Sequence, residues 1–352
     1  MTELESADFM EQLSKEREKV DVASHDFSVR ELVRMMGDDE LNVAPSYQRK
    51  FRWEPEAESL FIESVFLGLP VPPLFVATNV GFQWEVVDGL QRLSTLAHFL
   101  ADNDDDAKSV GRESPLELVG LEKLDRLNGS QFSALPKNLK VFFGRQPLQV
   151  VSLTDKSNLD VRFDVFERLN RGGVKLSRQE VRSCVYRGPF NVFLEELAED
   201  TNLRRLLSLQ KTRKNDGTII EQVLKFFAYK NFRDLFDGRV EKFLNKSMVR
   251  AAKGFDYPTE ETIFRSSLEK LSGFCNGGSF TSPKGGSTPL VRFEACLVGI
   301  AEIIEGGVEP QNPPDDWVDD AELRASSGAG SNSRTMLDRR LQRAKELFSG
   351  QA

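Results

Sequence analysis

Apolar and polar residues along this chain change period several times, and each change marks an element. Ser28-Val29-Arg30-Glu31 has the spacing of a capping box, and Leu32, Met35 and Met36 behind it predict a short amphipathic helix. Residues 1–24 are charged and predict a helical or frayed lead-in. In L-N-V-A-P-S-Y-Q-R-K-F-R-W, Pro45 blocks a helix, so Tyr47 to Trp53 reads as an extended loop. The pairs Phe61/Val65 and Ile62/Phe66 predict a buried helix ending before Pro70. Two strands follow, Leu74 to Thr78 and Phe82 to Val87, joined by Asn79-Val80-Gly81. A helix then begins immediately at D-G-L-Q-R-L-S-T-L, with Leu93, Leu96, Ala97 and Leu100 on one stripe, Leu90 at its edge, and Gln91 and Arg92 on the opposite side.

Residues 102–146 carry acidic and turn signals and predict an irregular excursion, closed by a strand from Leu148 to Leu153. Beyond it the pattern is helical. Leu159, Phe163, Phe166 and Leu169 share a face up to Gly172-Gly173, and Ser177-Arg178-Gln179-Glu180 forms a second capping-box signal. Amphipathic helices are predicted near 190–208, 218–232, 239–252, 259–273, 290–305 and 334–348, interrupted by G-G-S-F-T-S-P-K-G-G-S and E-P-Q-N-P-P-D-D-W. The outcome is a mixed α/β first half and a helical second half.

At 352 residues the chain suffices for two modest domains, or one with a helical extension. A formal net charge of −8 argues against a general electrostatic footprint on nucleic acid, although a local basic groove stays open. Cys184, Cys275 and Cys296 are odd in number and widely spaced, which is neither a disulfide framework nor a zinc pattern and favours a reducing cytoplasm. No apolar run reaches the length of a membrane span, and the acidic N-terminus lacks a signal-peptide core. Histidine is the most restrictive residue type. Only His25 and His98 occur, so neither an HNH-type nuclease nor Ser-His-Asp or Cys-His catalysis finds its general base in a supporting context. His25 reads as a solvated residue ahead of a helix, and His98 as a partly buried, hydrogen-bonded one.

The tight strand-to-helix turn carries the most suggestive chemistry. Helix N-termini attract anions, Gly89 allows close backbone approach, Arg92 can grip phosphate oxygens, and Asp88 can hold a divalent cation. Local features alone also admit a plainer reading, in which Asp88 is an N-cap and Arg92 a surface ion-pair residue. Two further segments bear on this. Gln48, Arg49 and Arg52 lie among Tyr47, Phe51 and Trp53, which suits a stacked base or a nucleic-acid strand. F-E-R-L-N-R-G-G clusters Arg168, Asn170 and Arg171 at a helix end, where a cation-decorated glycine cap is the alternative.

Taken in order, P-S-Y-Q-R-K-F-R-W, E-S-V-F-L-G-L-P-V-P-P-L-F-V, V-V-D-G-L-Q-R-L-S-T-L and F-E-R-L-N-R-G-G-V-K-L-S-R-Q-E-V-R resemble the N-terminal domain of GmrSD-type modification-dependent restriction endonucleases, within the ParB/sulfiredoxin-like superfamily. The resemblance runs over roughly residues 28–235, and K-F-L-N-K-S-M and the C-terminal R-T-M-L-D-R-R-L-Q-R-A-K-E-L-F are similar to helical tails of single-domain members. It implies an α+β protein with a ParB/sulfiredoxin-like nucleotide-binding core over residues 25–155 and a helical domain over 156–352. It further implies binding and hydrolysis of a nucleoside triphosphate with Mg²⁺, in the regulatory or sensing part of an anti-phage restriction system that works with a separate effector nuclease. Carried across, the hydrolytic segment corresponds to Asp88, Gly89, Gln91 and Arg92, the Q-R-x-x-x-W segment to Gln48, Arg49 and Trp53 beside Tyr47, and the F-x-x-L-N segment to Asn170. Asp88 would hold the metal. Leu90 departs from the family, which carries a glutamine there, and the absence of histidine after His98 excludes a fused HNH nuclease within this sequence. The rival expectation is a non-enzymatic ParB-like adaptor that binds DNA through residues 47–53.

Overall fold

The structure is a computed structural model that describes residues 3–18, 20–42, 53–78, 82–154, 159–169, 177–210, 213, 216–283, 285–328, 330 and 332–350. The chain divides into two compact units, Met1–Lys175 and Leu176–Ala352. The first opens with helix α1 (Glu3–Arg17) and strand β1 (Val22–Ser28). β1 corrects the expectation of a helical or frayed lead-in through residue 24. Its sequence, V-A-S-H-D-F-S, shows little apolar alternation because it is a sheet-edge strand with most side chains exposed. His25 lies here, solvent-exposed as expected but on a strand, its ring 5.7 Å from that of Trp84.

Ser28 ends β1 and caps α2 (Val29–Gly37), its hydroxyl accepting the Glu31 N–H at 3.2 Å. Only that half of the predicted capping box forms, because the Glu31 carboxylate pairs with Arg34 at 2.8 Å instead. Strand β2 (Leu41–Asn42) is short. Helix α3 (Pro55–Phe66) starts on a proline in its first turn and buries Phe61, Ile62, Val65 and Phe66, as predicted. β3 (Leu74–Thr78) matches its expected strand. β4 (Trp84–Asp88) starts two residues later than expected, because Phe82 is a bend with φ 63°, and the expected 79–81 connection lies outside the described residues. α4 (Leu90–Leu100) follows β4 at once. The excursion contains two α-helices, α5 (Asp104–Ser109) and α6 (Lys137–Gly144), with two 3-10 turns between them, and β5 (Pro147–Leu153) and α7 (Leu159–Leu169) complete the unit.

The sheet order is β1-β5-β3-β4-β2. β1 and β5 are antiparallel, β5 and β3 parallel, β3 and β4 antiparallel with an irregularity between Phe75 and Val76, and β4 and β2 parallel. Val76, Val150, Leu93, Leu96 and Phe99 are among the fully buried residues of this core. α7 packs on β4, and the Arg162 guanidinium donates to the Thr78 carbonyl at 3.0 Å.

The second unit is helical among its described residues: α8 (Arg178–Val185), α9 (Pro189–Leu197), α10 (Thr201–Leu206), α11 (Thr218–Asn231), α12 (Val240–Ala252), α13 (Tyr257–Phe274), α14 (Leu290–Glu305), α15 (Ala321–Ala325) and α16 (Arg334–Phe348). A single helix near 190–208 was expected; Asp200 breaks it by accepting the Asn202 N–H at 2.8 Å and starting α10. α14 is buried nearly throughout and packs along α11, α13 and α16. A Cβ at Gly299 would lie 2.9 Å from the Lys345 backbone nitrogen, so the glycine sets how closely α14 approaches α16. Buried charge is held in pairs here: Lys225 sits between Glu221 at 3.1 Å and Glu294 at 3.0 Å. The two carboxylates raise the Lys225 ammonium above its usual value despite its burial. No helix among the described residues is long and apolar enough to cross a membrane.

At the start of α8 both halves of the capping box form. Ser177 accepts the Glu180 N–H at 3.2 Å and Glu180 accepts the Ser177 N–H at 2.7 Å, while the Ser177 hydroxyl also donates to the Asp216 carbonyl. Ser177→Ala is therefore expected to lower stability by about 1–2 kcal/mol. A urea titration should show an earlier midpoint with an unchanged slope, and a midpoint equal to wild type would refute the cap's contribution.

Candidate functional site

The β4–α4 turn begins with Val86 and Val87, buried in the sheet, and ends with Leu93, buried beneath the helix. Between them the chain reverses within a single residue. Gly89 takes φ 99° and ψ 12°, a left-handed conformation, and occupies the N-cap position of α4. This corrects the plainer expectation for Asp88: it is the last residue of β4, and Gly89, which has no side chain to cap with, holds the N-cap position. The first turn of α4 also lacks acidic residues. A helix start whose N-cap is a glycine and whose first turn carries no acid presents a partial positive charge that favours an anion.

Asp88, one-third exposed, pairs through Oδ2 with Arg92 Nη2 at 2.6 Å, one helical turn along. Arg92 is mostly buried, and its Nη1 donates to the Pro73 carbonyl at 3.1 Å and to the Pro72 carbonyl. Residues 71–73 belong to no helix or strand, so the Pro72 and Pro73 carbonyls lack ladder partners, and Arg92 supplies a donor. Burial pulls the Arg92 guanidinium below its usual value, and Asp88 acts in the opposite direction. Arg92 thus fastens α4 to residues 72–73 and orients Asp88. Leu90 is half-buried, in keeping with its place at the stripe's edge.

The other motif reaches the turn from the opposite side. Gln91 Oε1 accepts the backbone N–H of Trp53 at 3.1 Å, and the Trp53 ring meets Phe61 edge-on, with centroids 5.8 Å apart. The structure thereby brings together Trp53, Asp88, Gly89, Gln91 and Arg92. Tyr47, Gln48, Arg49 and Asn170 lie outside the described residues.

Sequence reasoning missed three participants. Glu58 is fully buried on α3, and its carboxylate accepts from Arg112 Nη2 at 2.8 Å and meets His98 Nδ1 at 2.7 Å. Arg112 Nη2 also donates to the Trp53 carbonyl. His98 is buried and hydrogen-bonded, as expected, its Nε2 lying 2.8 Å from the Ser114 carbonyl. The available signal was charge on an otherwise apolar helix face: Glu58 precedes Ile62 and Val65 at helical spacing.

Among the described residues, no group of three or more His, Cys, Asp or Glu side chains is placed to hold a metal ion. A dedicated protein cage for a cation is therefore not what these residues offer. A single accessible carboxylate beside an anion-attracting helix start is a different arrangement, in which a bound anion would itself complete the coordination of a divalent cation.

The chain from residue 29 to residue 187 matches the family model of the GmrSD restriction endonuclease N-terminal domain. This match starts where the sequence resemblance starts and stops earlier, so helices beyond residue 187 fall outside it. No curated protein shows significant similarity to the chain, and neither does any solved structure. With the D-G-L-Q-R turn, Trp53 and α7 all inside the matched span, the chain belongs over residues 29–187 to the GmrSD restriction endonuclease N-terminal domain family.

Proposed function

We propose that this protein binds and hydrolyses a nucleoside triphosphate as the regulatory or sensing component of a modification-dependent restriction system. It would act with an effector nuclease lying outside these 352 residues. The observation that carries the reading is the hydrogen bond from Trp53 N–H to Gln91, which joins the end of Q-R-K-F-R-W to the D-G-L-Q-R turn. An aromatic ring suited to stacking on a base and a helix start suited to phosphate then belong to one site.

The residues fit Mg²⁺ in the manner usual for nucleotide sites, with one or two protein carboxylates and the remaining positions filled by phosphate oxygens and water. Asp88 would supply that carboxylate, and the ion, when bound, would neutralise phosphate charge beside it. Gly89 supplies the left-handed turn that sets Asp88 beside the start of α4. Gln91 positions a phosphate oxygen or the attacking water. Arg92 holds Asp88 in place through its own anchorage on Pro72 and Pro73. Arg49 and Asn170 remain candidates for phosphate and ribose, with Tyr47 and Gln48 beside the base.

The test is isothermal titration of purified protein with each of the four common NTPs and Mg²⁺. Binding of at least one is expected, and Gln91→Ala should weaken it about tenfold by releasing the Trp53 segment. No heat with any NTP, together with salt-dependent binding of DNA, would replace this reading with the ParB-like adaptor.

A further inference from the structure

We infer that Glu58, His98 and Arg112 are positioning residues that form a buried brace fixing Trp53 against the β4–α4 turn. The inference rests on the nucleotide reading above only in the role it gives Trp53, that of meeting the bound base. The brace itself is defined by geometry.

Trp53 is the last residue of Q-R-K-F-R-W, and its peptide groups are held at both ends. Its N–H donates to Gln91 Oε1 at 3.1 Å, from α4, and its carbonyl accepts from Arg112 Nη2, from beyond α5. These partners stand 38 and 59 residues away in sequence, so the grip is tertiary and not a turn. Arg112 is in turn aimed by Glu58, whose other carboxylate oxygen is taken by His98, itself tethered to the Ser114 carbonyl. Each oxygen of the buried carboxylate therefore has its own partner.

Stability alone does not require such an arrangement. A buried ion pair is often no more stabilising than an apolar substitute of the same volume, because desolvation offsets the attraction. What the charges provide is direction: a carboxylate held at both oxygens leaves Arg112 one orientation, and that orientation ends on the Trp53 carbonyl. Ser59 and Glu63 on the same helix show a related use of buried polar groups. Ser59 Oγ accepts the Val119 N–H at 3.0 Å, and Glu63 Oε1 accepts the N–H groups of Lys123 and Leu124 at 2.9 and 2.8 Å. Those contacts hold residues 119–124 of the excursion on α3, the same helix on which Glu58 holds Arg112.

The experiment uses full-length protein carrying Trp84→Phe and Trp317→Phe, which leaves Trp53 as the single tryptophan. In that background Arg112→Lys keeps a cation beside Glu58, but its ammonium ends one bond short of the Nη2 position from which Arg112 meets both the Glu58 carboxylate and the Trp53 carbonyl. Acrylamide quenching of Trp53 fluorescence should rise about twofold, and the Kd for NTP should rise about tenfold, with kcat altered less. Because Arg112→Lys can also lower stability, a second variant, the isosteric Glu58→Gln, removes the ion pair yet keeps an amide oxygen that accepts from Arg112, so the reach of Arg112 to the Trp53 carbonyl is retained. Its quenching should fall back toward that of the parent. Unchanged quenching in Arg112→Lys, or quenching that follows melting temperature in both variants alike, would overturn the brace. Quenching needs no nucleotide, so it decides the brace even where the parent binds no NTP, a result that would defeat the nucleotide reading alone.

Discussion

Asp88→Ala protein is expected to fold and to lose NTP turnover by about 100-fold or more, equivalent to about 2.7 kcal/mol of transition-state stabilisation. The fold should survive because the interaction lost is one pair whose carboxylate is one-third exposed, a class worth about 1 kcal/mol. Arg92 would keep its hydrogen bonds to Pro72 and Pro73, so its guanidinium is not stranded. The loss of turnover follows from the position of the carboxylate. It sits directly before the start of α4, whose first turn carries no acid of its own. Asp88→Asn separates the two roles that the geometry gives this residue. The amide oxygen can still accept from Arg92, yet the charge that a divalent cation requires is gone. Equal loss in both variants, with chelation of Mg²⁺ reproducing it in the parent, supports the metal role. Full turnover in Asp88→Asn would reduce Asp88 to a partner that orients Arg92, and full turnover in Asp88→Ala would remove it from the site altogether.

The elements around this turn were legible from periodicity because their burial is one-sided. α3 and α4 have apolar stripes, β3 and β5 have short apolar runs, and the boundaries carry Pro55, Gly89 and Pro147. β1 escaped notice for the opposite reason. It pairs along one edge over seven residues and leaves Ser24, His25 and Asp26 in solvent, so nothing in its composition signals a sheet. The α9–α10 break was written in the sequence as Glu199-Asp200-Thr201-Asn202, but a capping aspartate inside an apolar-periodic stretch yields to the periodicity unless the cap is weighed first.

Within the candidate site, the motif residues on the turn could be listed from the sequence, but their partners could not. Nothing local indicates that Arg92 would be satisfied by two proline carbonyls 19 and 20 residues earlier, or that Gln91 would hold a backbone amide 38 residues away. Glu58 is the sharper case. Sequence treats a glutamate in the first turn of a helix as a solvated complement to the helix dipole, and the structure buries it completely between Arg112 and His98. Its spacing to Ile62 and Val65 puts it on the buried face, but the partners that meet it there lie on other elements and have no signature at that spacing.

Gly89→Ala is expected to cost about 3 kcal/mol of stability, from two separable sources. The first is conformational. At φ 99° an L side chain is strained whatever surrounds it, and this contributes about 1–2 kcal/mol. The second is steric: an added Cβ would fall 2.3 Å from Leu74 Cδ2, a methyl buried at the start of β3, and displacing it costs about 1–2 kcal/mol more. A double-mutant cycle with Leu74→Val, which removes the offending methyl, tells them apart. Placed in that background, Gly89→Ala should lose only its conformational part, so the coupling energy recovers about 1–2 kcal/mol. Urea midpoints with constant slopes provide the measurement. No coupling would mean that Leu74 turns aside without cost and that backbone strain alone accounts for the effect. A Gly89→Ala protein as stable as wild type would contradict the left-handed turn itself. Because the same backbone reversal brings Asp88, Gln91 and Arg92 to one end of α4, NTP binding should weaken in Gly89→Ala and stay weak in the Leu74→Val background, where the packing is relieved but the turn is not.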